Sequence, residues 1–169
     1  MSKRNDQPEI DDFPELIIGL TGPIGVDLDL LARSIDAALR DVGYTSDTLK
    51  LTANIERYKI TRSDLLADVS RWNGDDIFNT YMRKMAEANA LRKQYNDAAF
   101  LARIAVNTIQ QRRSDATGDE KKPKPRHAHI VRQFKRPEEV ELLRKVFGRR
   151  MVHQSASVRS LYPGGTKRA

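Results

Sequence analysis

The apolar positions of the chain open with a strand, a glycine-rich turn and an amphipathic helix. Pro14-Glu15-Leu16-Ile17-Ile18-Gly19-Leu20 is a short apolar run bounded by proline and glycine, the pattern of a parallel-sheet strand covered on both faces. The turn Thr21-Gly22-Pro23-Ile24-Gly25 follows. In Val26–Gly43 the apolar positions Leu28, Leu31, Ile35, Ala38, Leu39 and Val42 share one helical face. Asp27 is placed to cap that helix and Gly43 to close it. Tyr44–Leu51 alternates weakly as a second strand, so this part of the chain is a βαβ unit, with a parallel sheet and a right-handed crossover.

From Thr52 to Arg113 the period is helical. A short helix is predicted over Arg62–Ser70, begun near Thr61. Asn73-Gly74 then breaks the chain, and Asp75-Asp76 can cap a long amphipathic run. Ile77, Tyr81, Met85, Ala88, Leu91, Tyr95, Ala98, Ala102, Ala105 and Ile109 lie near one face of it. The run exceeds an ordinary helix in length, which predicts two helices with a break near Gln94–Asn96. Ser114–Arg126 has no apolar period and holds one glycine and two prolines, the composition of a flexible basic loop. His127–Phe134 is a third strand. Pro137 starts a helix whose stripe is Val140, Leu143, Val146 and Phe147, and Gly148 ends it. Arg149–Val158 is a weak fourth strand. The organisation expected is a polar leader over 1–13, one α/β domain over 14–158 with the loop 114–126, and a frayed tail over 159–169.

Composition narrows the chemistry. Among 169 residues there is no cysteine, which excludes disulfides, thiolate zinc sites and cysteine nucleophiles. No apolar run approaches the ~20 residues that span a bilayer, and no signal-peptide core follows Met1–Asp12. The expectation is a soluble, cytoplasmic protein with no membrane partner. The net charge of +7 is uneven. Residues 1–111 carry 14 Lys/Arg against 17 Asp/Glu, whereas residues 112–150 carry 13 against 6. That basic third is either a solvated surface or the footprint of an anionic partner, a nucleotide phosphate or a nucleic acid.

Three segments carry candidate chemistry. In Gly19–Asp27, a glycine loop between strand and helix directs backbone N–H groups inward, and the helix N-terminus adds partial positive charge. Thr21, Gly22, Pro23, Ile24, Gly25, Val26 and Asp27 are the candidate phosphate contacts. The context matches the strand–GxxxxGK[ST]–helix P-loop, but Val26 occupies the lysine position and Asp27 the Ser/Thr position. The alternative is a tight turn capped by Asp27. The second segment, at the end of the third strand, offers Arg132, Lys135 and Arg136 as phosphate-neutralising cations, or as surface charge. The third, His127-Ala128-His129, puts two imidazoles on one side of a strand and resembles half a metal pair. With no cysteine and no HExxH, no metal ligand is assigned and zinc is not expected.

The stretch Pro14-Glu15-Leu16-Ile17-Ile18-Gly19-Leu20-Thr21-Gly22-Pro23-Ile24-Gly25-Val26-Asp27-Leu28 resembles the opening of the anti-phage dCTP deaminases. So does Phe134-Lys135-Arg136-Pro137-Glu138-Glu139-Val140-Glu141-Leu142-Leu143-Arg144-Lys145-Val146-Phe147-Gly148 a later block of that family. The Lys-Arg-Pro-Glu-Glu block is also similar to one in deoxynucleoside monophosphate kinases. The resemblance implies a P-loop NTPase, nucleoside-kinase-like fold: a three-layer α/β domain with a parallel sheet, helices on both faces and an early C-terminal end. In that family a zinc-dependent deaminase domain follows this module. Its H-x-E and P-C-x-x-C motifs are absent here, so deaminase activity is not expected of this chain. The resemblance implies a nucleotide ligand (dNTP or ATP, with Mg²⁺), a deaminase domain or partner chain, and a sensing or regulatory role with degenerate kinase activity. An active nucleotide kinase using a lysine of the 121–126 loop, a basic module binding RNA or DNA, including an inhibitory RNA, and a dead remnant are the alternatives.

Overall fold

In the computed structural model, residues 13–23, 26–53 and 55–156 are described. Ile24, Gly25, nearly all of the leader, and the tail beyond 156 lie outside them. Four parallel strands, β1 (Leu16–Thr21), β2 (Thr45–Lys50), β3 (His127–Arg132) and β4 (Met151–Ser155), form one sheet of order β2-β3-β1-β4. The helices are α1 (Leu28–Asp41), α2 (Ser63–Ser70), α3 (Ile77–Gln94), α4 (Phe100–Thr117) and α5 (Pro137–Phe147). The α/β class, the parallel sheet and the helices on both faces are as the sequence predicts. Among the described residues no helix is long and apolar enough to cross a membrane.

Strand order dictates where the helices sit. The chain crosses the sheet in one direction between β1 and β2, and in the other between β2 and β3 and between β3 and β4. Right-handed crossovers then require α1 on one face and the remaining helices on the other. The core obeys this. Ala32 and Leu39 of α1 pack with Leu20, Ala128, Ile130 and Tyr44 on one side. Leu91, Leu101, Ile109 and Leu143 pack with Ile17, Leu49, Val131 and Met151 on the other. β1 and β3 are central: β3 buries five of its six positions and β1 three, with none exposed in either, while β4 is an edge strand with Met151 alone buried.

The caps follow the sequence. The Asp27 carboxylate accepts from the Leu30 N–H at 2.8 Å, and that of Asp76 from the Asn79 N–H at 2.9 Å. Gly43, at φ +79°, takes the left-handed turn beyond α1. Gly19 sits where β4 closes on β1: an added Cβ would lie 2.6 Å from Met151 Cε and 3.0 Å from Phe134 Cε2. Met151 can swing aside, but the Phe134 ring is packed. Gly19→Val is therefore expected to cost about 1–3 kcal/mol by overpacking, measured by urea denaturation.

Three expectations need correction. The flexible loop over 114–126 is shorter than predicted, because α4 runs to Thr117. The Arg113 guanidinium is locked on buried Glu15, and the Thr117 hydroxyl donates to the Arg113 carbonyl at 2.8 Å. Residues 118–126 are also tied down, through the Lys124 N–H on Glu15 and the Arg126 N–H on the Phe13 carbonyl. Val42 and Ile77, on the apolar faces that the periodicity predicts, and Val146, on the predicted buried stripe of α5, are 61%, 91% and 45% exposed. Val42 and Ile77 lie at or beyond their helix ends, and Val146 projects away from the Val140–Leu143–Phe147 stripe.

Candidate functional site

β1 and β3 are neighbours, yet the segments leaving their C-terminal ends go to helices on opposite faces. The crevice between two such segments is where open parallel sheets bind ligands. Here it is bordered by Thr21–Pro23, Val26 and Asp27 and by 133–136. The Gln133 N–H donates to the Leu20 carbonyl at 3.2 Å and draws the two segments together. Gln133 has φ +74°, a left-handed conformation that a non-glycine residue adopts at a cost and that concentrates at functional sites.

The loop after β1 is turned partly on itself. The Val26 N–H donates to the Pro23 carbonyl and the Leu28 N–H to the Val26 carbonyl, at 3.3 and 3.0 Å. A Cβ on Gly22 would lie 3.1 Å from Leu28 Cδ2, so glycine permits that close approach. With the Asp27 carboxylate on the Leu30 N–H, three amide donors of this region already have protein acceptors. Thr21, ending β1, lies with its Oγ1 3.2 Å from Nε2 of His153 on β4.

The segment after β3 is built by Glu139. Its carboxylate is fully buried, accepts from the Lys135 and Arg136 N–H groups at 2.9 and 3.2 Å, and pairs with the Arg92 guanidinium of α3. Lys135 and Arg136 are thereby fixed at the rim of a cavity of about 320 Å³ between the ends of β2 and β3 and the helices α3 and α4. Lys50, Lys84, Gln133 and Arg92 form its polar side, and Tyr81, Met85, Ala88 and Leu101 its apolar side. A second cavity, on the β4 flank, also meets Lys135 and Arg136 and includes Thr21, Arg144 and His153.

Positive charge at the first cavity is not neutralised from within. Among the described residues, Lys50, Lys84, Lys135 and Arg136 have no carboxylate within ion-pair distance. Burial depresses the Lys50 ammonium, and the cations Lys84 and Arg132 push it down further, outweighing the attraction of Asp29. The Arg92 Nε–H, buried beside the cavity, has no hydrogen-bond partner among the described residues. Burial and repulsion from Arg144 likewise lower the His153 imidazole.

The predicted residues therefore gather only in part. Lys135 and Arg136 share both cavities, and Thr21 faces the second. Arg132 instead pairs with Asp29 in the first turn of α1, a contact that holds the Asp29 carboxyl below its usual range. Gly22, Pro23, Val26 and Asp27 border the crevice without lining the first cavity. Lys50, Tyr81, Lys84, Met85, Arg92 and His153 went unassigned in the sequence. Tyr81, Lys84, Met85 and Ala88 lie at i, i+3, i+4 and i+7, which marked a core stripe as readily as a cavity wall. The 112–126 cations lie at the opposite end of β3, where Arg112 and Arg113 pair with Asp47 and Glu15. The basic third is thus divided between two ends of the sheet.

At that far end, β-sheet register sets Asp47 directly beside His129 and Thr45 beside His127. Asp47 accepts contacts from both imidazoles at 2.9 Å. Burial would raise the Asp47 carboxyl, but the two histidines and Arg112 hold it far below the ordinary range. Burial would likewise raise Glu15, but His129, Arg113 and the Lys124 amide bring it to about 2.

Comparison of the chain with known protein families, with curated proteins and with solved structures finds no match.

Proposed function

We propose that this protein binds a nucleotide at the C-terminal edge of its sheet, with phosphates on Lys50, Lys84, Lys135 and Arg136. The observation that carries this reading is the set of four cations, none with a carboxylate at ion-pair distance among the described residues, around one cavity at the C-terminal ends of β2 and β3. An anion there relieves the mutual repulsion felt by Lys50. The apolar wall of Tyr81, Met85 and Leu101 suits a base or sugar, since ligand pockets combine apolar lining with a few convergent polar groups.

A P-loop-kinase-like module is the finer reading, supported by the strand–glycine loop–helix opening and the resemblance of the 134–148 block. The role that fits is sensing or regulation beside a deaminase, with turnover weak or absent, because Val26 stands where the phosphate-reaching lysine is expected. The 121–126 lysines precede β3 at the wrong end of the sheet to replace it, which weighs against an active kinase. The divided basic third weighs against a nucleic-acid surface.

Equilibrium binding of ATP, dCTP and dCMP to the full chain, with and without Mg²⁺, tests the site. Replacing Lys135 and Arg136 together by alanine is expected to weaken the bound nucleotide about 10- to 100-fold, the loss of two charge-assisted contacts. Equal affinity in the double variant removes the proposed site. A coupled ATPase or dNMP-kinase assay showing Mg²⁺-dependent turnover overturns the regulatory role, and multi-ion salt dependence with RNA in place of nucleotide saturation overturns the ligand class.

A further inference from the structure

At the opposite edge of the sheet, we infer that Asp47, His127 and His129 form a binding site for a divalent transition metal of the zinc class. β3 supplies two imidazoles from alternate positions, which a strand presents on one face. β2 supplies the carboxylate from the residue directly beside His129. His127 Nε2 lies 2.9 Å from Asp47 Oδ2 and His129 Nδ1 lies 2.9 Å from Asp47 Oδ1. One donor atom from each of the three lies within 4.8 Å of the others. Tetrahedral ligands at Zn–N and Zn–O distances of ~2.0–2.1 Å stand about 3.3 Å apart, so a small opening of this cluster admits the ion.

The flanking groups favour ligation over a plain hydrogen-bonded pair. In metal sites the ring nitrogen turned away from the ion meets an acceptor that fixes tautomer and ring angle. Here His127 Nδ1 lies 2.7 Å from the Thr45 hydroxyl oxygen, and His129 Nε2 faces Glu15 Oε1 at 3.5 Å. His129 is almost fully buried, and this Nε2 makes no hydrogen bond at that distance. A proton held on it toward Glu15 leaves Nδ1 free to coordinate. His127 and His129 are both buried, yet the cluster borders a cavity of about 290 Å³ that gives an ion a path. Arg112, the present partner of Asp47, is partly exposed, so its guanidinium can swing out and leave the carboxylate to the ion. Two imidazoles and one carboxylate form the donor set of an open zinc site, with a fourth position for water.

The chain has no cysteine and three histidines, which makes the test unusually clean. The full chain, stripped by chelator, is dialysed against Zn²⁺, and Co²⁺ is substituted to read coordination from its visible absorption. One equivalent per chain is expected, with the spectrum of a four-coordinate site. His127→Gln and Asp47→Asn are each expected to weaken binding about 100-fold or more. His153→Gln, two strands away on β4, is expected to leave it unchanged. Circular dichroism confirms that each variant compared is folded. Absence of stoichiometric binding by the wild-type chain, or equal loss in His153→Gln, overturns the site.

Discussion

Glu139→Ala is expected to destabilise the fold by about 3–5 kcal/mol, the cost of leaving one member of a buried ion pair alone. Arg92 is 6% exposed and its carboxylate partner fully buried. Besides Glu139, Arg92 retains the Asn89 side-chain oxygen at 3.1 Å, a neutral acceptor that does not balance the charge. The substitution also removes the acceptor of the Lys135 and Arg136 N–H groups, which frees the segment that carries two of the four proposed phosphate cations. Stability and nucleotide affinity should therefore fall together. Glu139→Gln, which keeps one acceptor oxygen, should lie between the two. In the double variant Arg92→Met/Glu139→Leu, an apolar pair in place of an ionic one, most of the stability is expected to return, while the loosened Lys135–Arg136 segment keeps nucleotide affinity low. Urea denaturation of the four proteins measures this. A single-variant loss below about 1 kcal/mol would show that the pair is not the anchor of the segment.

The elements legible in the sequence were those with local punctuation. Pro137 and Gly148 bracket α5 because a proline suits the first helical position and a glycine the turn beyond the last. Asn96, at φ +47°, marks the break between α3 and α4 that the excess length of the run required. The end of α4 was not legible. Ser114, Asp115 and Thr117 have weak helix propensity, and what carries the helix through them is tertiary: the hold on Arg113 of Glu15, which directly precedes β1 almost a hundred residues earlier. Burial at helix ends was illegible for the related reason that periodicity assigns a face but not how far the sheet extends beneath it. Ile77 keeps the period and still projects into solvent.

The candidate sites divide in the same way. Lys135 and Arg136 were visible as a charge cluster beside a proline. Lys50 and Lys84 were not, because their significance lies in being neighbours of each other across a sheet edge and a helix. The His127–His129 pair was visible as an alternation, but its carboxylate comes through parallel register with β2. No spacing rule connects positions 47 and 129; only strand order does.

Arg113→Met is the second large effect, again about 3–5 kcal/mol at neutral pH, and its pH dependence identifies the cause. Glu15, fully buried, receives the Arg113 guanidinium and the Lys124 N–H. These contacts, with His129, outweigh burial and lower its pKa from 4.5 to about 2. A carboxylate with a lowered folded-state pKa contributes stability above its unfolded value and loses it as the pH falls through the folded one. The wild-type protein, kept in chelator so that no metal competes for the neighbouring imidazoles, should thus lose roughly 3 kcal/mol from this group between pH 4.5 and 2. Without Arg113 the Glu15 pKa rises, the unpaired carboxylate takes up its proton earlier, and its share of the acid-induced loss shrinks. Denaturation midpoints of the two proteins should consequently converge as the pH falls through that window. A gap that stays constant with pH would assign the Arg113 effect to its packing over Phe147, whose ring centroid lies 5.2 Å from the guanidinium carbon, rather than to the charge it shares with Glu15.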